Sequence, residues 1–203
     1  MSPGLSVVIA LHGFEDEPLT VAELLAPLAG RGLAVVTPRA PMTAPGGPAW
    51  FTSDADGPIE AELRQSLDAL DELVDQIAAE HGVDRSAVVL GGFSQGGVAA
   101  LAYALRDAGG HQPLGGLFSI SGYLIHAETI SYDIAGLAAG GTPVLVVHGS
   151  DDEVVAIQQG RSSARLLERH GVSTRFVEAE GGHHLGTVAV DALVDWLDDL
   201  GSR

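Results

Sequence analysis

Six short runs rich in apolar and β-branched residues constrain this chain more than any other feature. They are Leu5–Leu11, Leu33–Thr37, Ala87–Leu90, Leu117–Ser121, Pro143–Val147 and Ser173–Glu178. A strand with one wet face alternates apolar and polar residues, whereas a strand covered on both faces reads as a continuous apolar run. Most of these runs are of the second kind. Between them lie segments with apolar residues at helical spacing. Pro18–Ala29 places Leu19, Ala22, Leu25 and Leu28 on one face, and Ile59–His81 does the same with Leu63, Leu67, Leu70, Leu73, Val74 and Ile77. Further helices are predicted over Gln95–Ala108, Gln158–His170 and Thr187–Leu200, and Gly30, Gly32, Gly82 and Gly171 supply stop signals. Strands buried on both faces, alternating with helices, predict an α/β fold: a mostly parallel sheet flanked by helices. With 203 residues, 46% of them hydrophobic, the chain is expected to be one compact domain over residues 1–203. Residues 124–141 read equally as helix or loop. Pro38–Pro58 is rich in Pro and Gly, without a usable period. Its Trp50-Phe51 pair marks it as a functional loop lining a pocket rather than a free linker.

Composition removes several function classes. The formal net charge is −17, which argues against nucleic acid or an anionic membrane as a partner. No apolar run approaches the length of a membrane span. No basic segment precedes Leu5–Leu11, so the expectation is a cytoplasmic protein without membrane insertion. Cysteine is absent, and with it disulfides, thiolate nucleophiles and sulfur-built zinc sites. All ten basic residues are arginine, which removes Schiff-base chemistry and a Ser-Lys pair.

The stretch Ala87–Gly97 carries the chemistry. It runs from a strand through Gly92-Phe93-Ser94-Gln95-Gly96 into a helix, and this G-x-S-x-G sets a serine on a strained strand-to-helix corner. Its glycines stand where a Cβ would strike neighbouring backbone. In a doubly wound sheet a site forms beyond the carboxyl ends of the strands. The polar residues expected there are His12, Glu15 and Asp16, then Ser94, then Ser121 and Tyr123, then His148, Asp151 and Asp152, and last His183 and His184. A serine, an acid and a histidine thus follow one another in the order Ser…Asp…His. A serine hydroxyl needs a neighbouring base to act as a nucleophile, the base needs a carboxylate to orient it, and the developing oxyanion needs two donors. The backbone N–H groups of Phe14 and Gln95 are placed to be those donors. Asp151 and Asp152 both remain candidates for the acid, as His183 and His184 do for the base. A metal held by these four is disfavoured, because the chain has no Cys and no H-x-x-x-H on a helix. His12 and His148 read as hydrogen-bonding residues of the oxyanion and acid loops. His81, His111, His126 and His170 read as surface residues.

These residues resemble the carboxylesterase and acyl-protein thioesterase family of α/β-hydrolases, relatives of the dienelactone hydrolases. The likeness rests on Leu11-His12-Gly13 with Asp16, Gly92–Gly97, Ser121–Leu124, His148-Gly149 with Asp152 and Val155, and Gly182-His183, with Ala49-Trp50-Phe51 resembling a substrate loop. It runs from about Val7 to Trp196. The resemblance implies a cofactor-free hydrolase of carboxylic esters or thioesters, acting through a serine acyl-enzyme, and the lack of a lid-sized insertion suits small soluble substrates. A lactone or dienelactone hydrolase and a non-catalytic binding module are the alternatives. It implies Asp152 as the acid, four residues after His148 in H-G-x-x-D-x-x-V. It implies His183 as the base, preceded by Gly182 and thirteen residues before Trp196. Trp50, Phe51 and Tyr123 are then expected to bind substrate. Relatives include dimers, which leaves a homodimer open. The chain departs from the family pattern at Glu15, where glycine is usual, and at Ala156, where proline is common.

Overall fold

The computed structural model describes residues 4–55, 57–106 and 112–202. Its centre is a six-stranded sheet of β1 (Val7–Leu11), β2 (Ala34–Val36), β7 (Val88–Phe93), β8 (Gly116–Ile120), β9 (Val144–Gly149) and β10 (Thr174–Ala179). The strand order is β10-β9-β8-β7-β1-β2, and every pairing is parallel. The continuous apolar runs follow from this arrangement. Alternate residues of each strand enter two different cores, so both sets must be apolar. Val7, Ile9 and Leu11 pack with α2 (Glu60–His81) and α3 (Gln95–Leu105), whereas Val8 and Ala10 pack with α1 (Pro18–Leu24) and α6 (Thr187–Gly201). α5 (Ile157–Arg169) contributes Ala164 and Leu167 to the first core.

Helix limits match the periodic segments closely. α2 ends at Gly82, whose φ of +65° is the left-handed conformation that glycine adopts without a Cβ clash. The first helix is shorter than predicted, because Ala26-Pro27 turns the chain into a 3-10 segment over Ala26–Arg31. The helix predicted to reach Ala108 ends at Leu105, and residues 107–108 lie outside the described residues. His111 does too, while His81, His126 and His170 are exposed as expected. The ambiguous region holds one short helix, α4 (Ile134–Gly140).

The stretch Pro38–Pro58 is not structureless. It folds into two small antiparallel hairpins, β3 (Met42–Ala44) with β4 (Gly47–Ala49), and β5 (Ser53–Asp54) with β6 (Gly57–Pro58). Strands of two or three residues are too short to show a period, and here they contain proline and glycine, so the pattern could not reveal them.

The topology fixes where a site forms. From β1 the chain winds outward to β2 on one side, and from β7 it winds through β8 and β9 to β10 on the other. The connections after β1 and β7 therefore diverge, leaving a crevice at the carboxyl ends of these two paired strands. Phe14 lies just past the end of the first, and Ser94 just past the end of the second.

Candidate active site

Ser94 joins β7 to α3 with φ +52° and ψ −121°, a conformation that L-residues rarely hold. The turn closes this tightly because its glycines admit backbone where side chains would sit. A Cβ on Gly92 would lie 2.6 Å from the Leu11 carbonyl oxygen, and one on Gly96 would lie 2.3 Å from that same atom. Strand β1, the elbow and the start of α3 are thus in mutual contact. The Ser94 N–H donates to the Ile120 carbonyl of β8 at 2.8 Å, and its own carbonyl accepts from the Val98 N–H of α3 at 3.0 Å. The corner is held from both sides by backbone bonds, none of which uses the hydroxyl.

That hydroxyl lies 2.8 Å from Nε2 of His183, and Nδ1 of the same ring lies 2.8 Å from Oδ2 of Asp152. The neighbours weighed against them stand apart. Asp151 is exposed and its carboxylate accepts from the Ser150 hydroxyl, and the exposed His184 ring lies against Gly181 and Gly186. Asp152 is buried at 8% exposure. Burial pushes its pKa up. The N–H of Val155, the His183 ring and the N–H of Val154 outweigh burial, so the carboxyl titrates below its ordinary value. Its Oδ1 accepts both N–H groups, at 3.0 Å from Val154 and 2.8 Å from Val155, leaving Oδ2 to the histidine. An ionised carboxylate only accepts, so Nδ1 of His183 carries the proton and Nε2 presents a lone pair to the serine hydroxyl.

Two other histidines frame the site and match their expected structural roles. His148, fully buried, donates from Nε2 to the Val155 carbonyl at 2.8 Å and spans the acid loop. His12, also fully buried, lies at the end of β1 in the loop that carries Phe14. Phe14 is 46% exposed, and no backbone hydrogen bond engages its N–H among the described residues. The Gln95 N–H is in the first turn of α3, where helical N–H groups lack intrahelical partners.

The aromatics expected to bind substrate are largely buried. Trp50 and Phe51 are 2% and 6% exposed and belong to the core on the α2 face. Nearly all of their surface is taken up by packing, and the Trp50 indole N–H donates to the His12 carbonyl at 3.0 Å. These two residues thus support the site from the core, and only a small part of either side chain is open. Tyr123 is half-buried against the same core.

Several supporting residues were not legible in the sequence. The Gln95 side chain accepts from the Trp50 N–H at 2.8 Å and donates to the Phe51 carbonyl at 2.6 Å, fastening the hairpin segment to α3. The Phe93 ring packs on the His183 ring with centroids 5.1 Å apart. Glu15, in the left-handed region at φ +57°, accepts from the Gly46 N–H at 2.9 Å, and its own N–H donates to the Pro48 carbonyl at 2.9 Å. The departure from glycine at this position thus clips the loop after β1 to the β3–β4 hairpin. None of these contacts has a local sequence signal, because each partner lies more than 30 residues away.

The switch-point crevice and the serine elbow together define an α/β-hydrolase. The chain belongs to the phospholipase/carboxylesterase family, whose model matches residues 2–199. It is 27% identical to acyl-protein thioesterase 1 homolog 1 of Dictyostelium discoideum, over 95% of this chain and 89% of that protein. It is 31% identical to acyl-protein thioesterase 1 of Neurospora crassa, over 80% of this chain and 70% of that protein. The fold matches the crystal structure of esterase PE8 with a TM-score of 0.81 and 25% identity, covering 98% of this chain and 94% of that one. Among the described residues no helix is long and apolar enough to cross a membrane.

Proposed function

We propose that this protein is a cytoplasmic serine hydrolase of small carboxylic esters or thioesters, with Ser94 as nucleophile, His183 as base and Asp152 as its orienting acid. The observation that carries the reading is the unbroken chain of 2.8 Å contacts from the Ser94 hydroxyl through both nitrogens of His183 to Asp152. In the first step Ser94 Oγ attacks the acyl carbon while His183 Nε2 takes the hydroxyl proton, and Asp152 stabilises the imidazolium. The oxyanion faces the N–H groups of Phe14 and Gln95, reinforced by the N-terminal end of α3. Collapse of the tetrahedral intermediate breaks the bond to the alcohol or thiol, which leaves with the proton from His183. Water then repeats the sequence on the acyl-enzyme, giving the carboxylic acid and restoring Ser94.

Preference for small substrates rests on how the loops are fastened. The hairpin segment is tied to α3 through Gln95, and to α2 through Glu62, which accepts from the Thr52 N–H at 2.7 Å. The segment after Tyr123 is tied down where Ser163 accepts from the Leu124 N–H at 2.8 Å and Glu60 accepts from the Glu128 N–H at 2.6 Å. Loops held this way resemble fixed walls more than a lid.

The test is hydrolysis of a short p-nitrophenyl ester together with labelling by a fluorophosphonate. Wild type is expected to hydrolyse the ester and take the label on Ser94, and Ser94→Ala is expected to do neither. Unchanged turnover in Ser94→Ala would overturn the proposal. Folded wild type that takes no label would favour a binding module. A preference for lactones over open esters in the same assay would point to the lactonase alternative.

A further inference from the structure

We infer that His12, held in its Nδ1–H tautomer, is a positioning residue for the oxyanion hole: it fixes the direction of the Phe14 N–H by gripping the other end of the same peptide unit. The inference rests on the proposed serine hydrolase reading, and assigns a residue outside the Ser-His-Asp set to the oxyanion step.

The tautomer follows from the partners. Nε2 of His12 lies 3.0 Å from the backbone nitrogen of Ala40, and that N–H can only donate. Nε2 therefore presents its lone pair, and the ring proton resides on Nδ1. Nδ1 lies 2.7 Å from the Gly13 carbonyl oxygen, to which it donates. The Gly13 carbonyl and the Phe14 N–H belong to one planar peptide group and point in opposite directions across it. Fixing one end aims the other. A second donor, the Asp16 N–H at 3.3 Å, holds the same carbonyl. The preceding peptide is held as well, since the His12 carbonyl accepts the indole N–H of Trp50 at 3.0 Å. The aimed loop lies against the nucleophile: a Cβ built on Gly13 would be 3.6 Å from the Ser94 Cβ. Burial pushes the His12 imidazole below its ordinary pKa, which keeps the ring neutral as both bonds require.

Two amide variants, each reproducing one ring nitrogen, separate positioning from mere packing. His12→Asn keeps an N–H at the Nδ1 position and loses the acceptor for Ala40. His12→Gln keeps an acceptor at the Nε2 position and loses the donor to Gly13. Each loses one buried hydrogen bond, so their thermal stabilities are expected to fall by similar amounts. On a p-nitrophenyl ester, His12→Gln is expected to lose kcat about 10- to 100-fold with KM within about threefold of wild type, since one oxyanion donor is misaimed. His12→Asn is expected to stay within about fivefold of wild-type kcat. Equal loss in both variants, or no loss in either, overturns the inference. Should neither variant fold, the imidazole nitrogen chemical shifts of folded wild type decide: a protonated Nε2 with a bare Nδ1 overturns it. Wild type without esterase activity would sink the hydrolase reading, whereas active wild type with unchanged His12→Gln would sink only this one.

Discussion

Ser94 carries backbone strain at the corner, holding φ +52° where an L-residue costs roughly 1–3 kcal/mol. Replacement by glycine removes that strain along with the hydroxyl. Ser94→Gly is therefore expected to raise the unfolding free energy by about 1 kcal/mol in urea titrations while abolishing ester hydrolysis. A destabilised Ser94→Gly would show that the elbow is relaxed. Asp152→Asn keeps the shape of the acid and changes its hydrogen bonding: an amide can favour the wrong tautomer of His183. Its kcat is expected to drop by about three to four orders of magnitude, with fluorophosphonate labelling slowed in parallel. Acid stability follows from the same residues. The His12 pKa is lowered, so its contribution is complete above the ordinary imidazole value of 6.5 and is lost as pH falls towards the folded value. The Asp152 pKa is lowered too, so its contribution is complete above the ordinary value of 3.8 and is lost as pH falls through the folded one. Urea midpoints are expected to decline from pH 7 to pH 5 and again below pH 4. The decline between pH 7 and pH 5 should flatten in His12→Asn.

At the scale of elements, the helices behind the elbow are bolted together by one buried arginine. Arg85, just before β7, reaches Asp71 at 2.9 Å and Asp75 at 2.6 Å on α2, and the Tyr103 hydroxyl at 3.0 Å on α3. Burial, followed by the hydrogen bond to Asp71, pushes the Tyr103 phenol up. Removing Arg85 would take its guanidinium away from the partly buried Asp71 carboxylate, which keeps the Tyr103 hydroxyl at 2.8 Å and the Arg106 guanidinium at 3.8 Å. Arg85→Ala is expected to cost about 2–3 kcal/mol in denaturant unfolding, less than for a fully dry pair because Asp75 is exposed. The esterase KM of that variant is expected to stay unchanged, because Arg85 stands before the start of β7 and Ser94 follows its end.

For the molecule as a whole, charge dominates. A net −17 spread over 203 residues sets carboxylates against one another, and compaction brings them closer. Raising the salt from about 10 mM to about 500 mM shortens the screening length from roughly 30 Å to about 4 Å and is expected to raise Tm by roughly 3–5 °C. Calorimetry in sodium chloride checks this, and a flat or falling Tm would mean that ion pairs such as Arg31–Asp198 and Arg175–Asp199 outweigh the repulsion.

The sequence by itself determined the sheet, the helices and the Ser94 elbow, because these are local. Burial on both faces writes a continuous apolar run, a helix writes its period, and a tight strand-to-helix turn demands glycines within a few residues. It also narrowed the acid and the base to two neighbours each, and the family resemblance pointed to Asp152 and His183. The tertiary structure brings these two into line with the serine and leaves Asp151 and His184 outside. That choice depends on loop paths after two further strands, which no local pattern encodes. The burial of Trp50 and Phe51 in the core on the α2 face was hidden for the same reason. An aromatic pair in a proline-rich loop looks identical in sequence whether it faces a crevice or α2. The tautomer of His12 is likewise a tertiary fact, set by a backbone N–H that lies 28 residues along the chain.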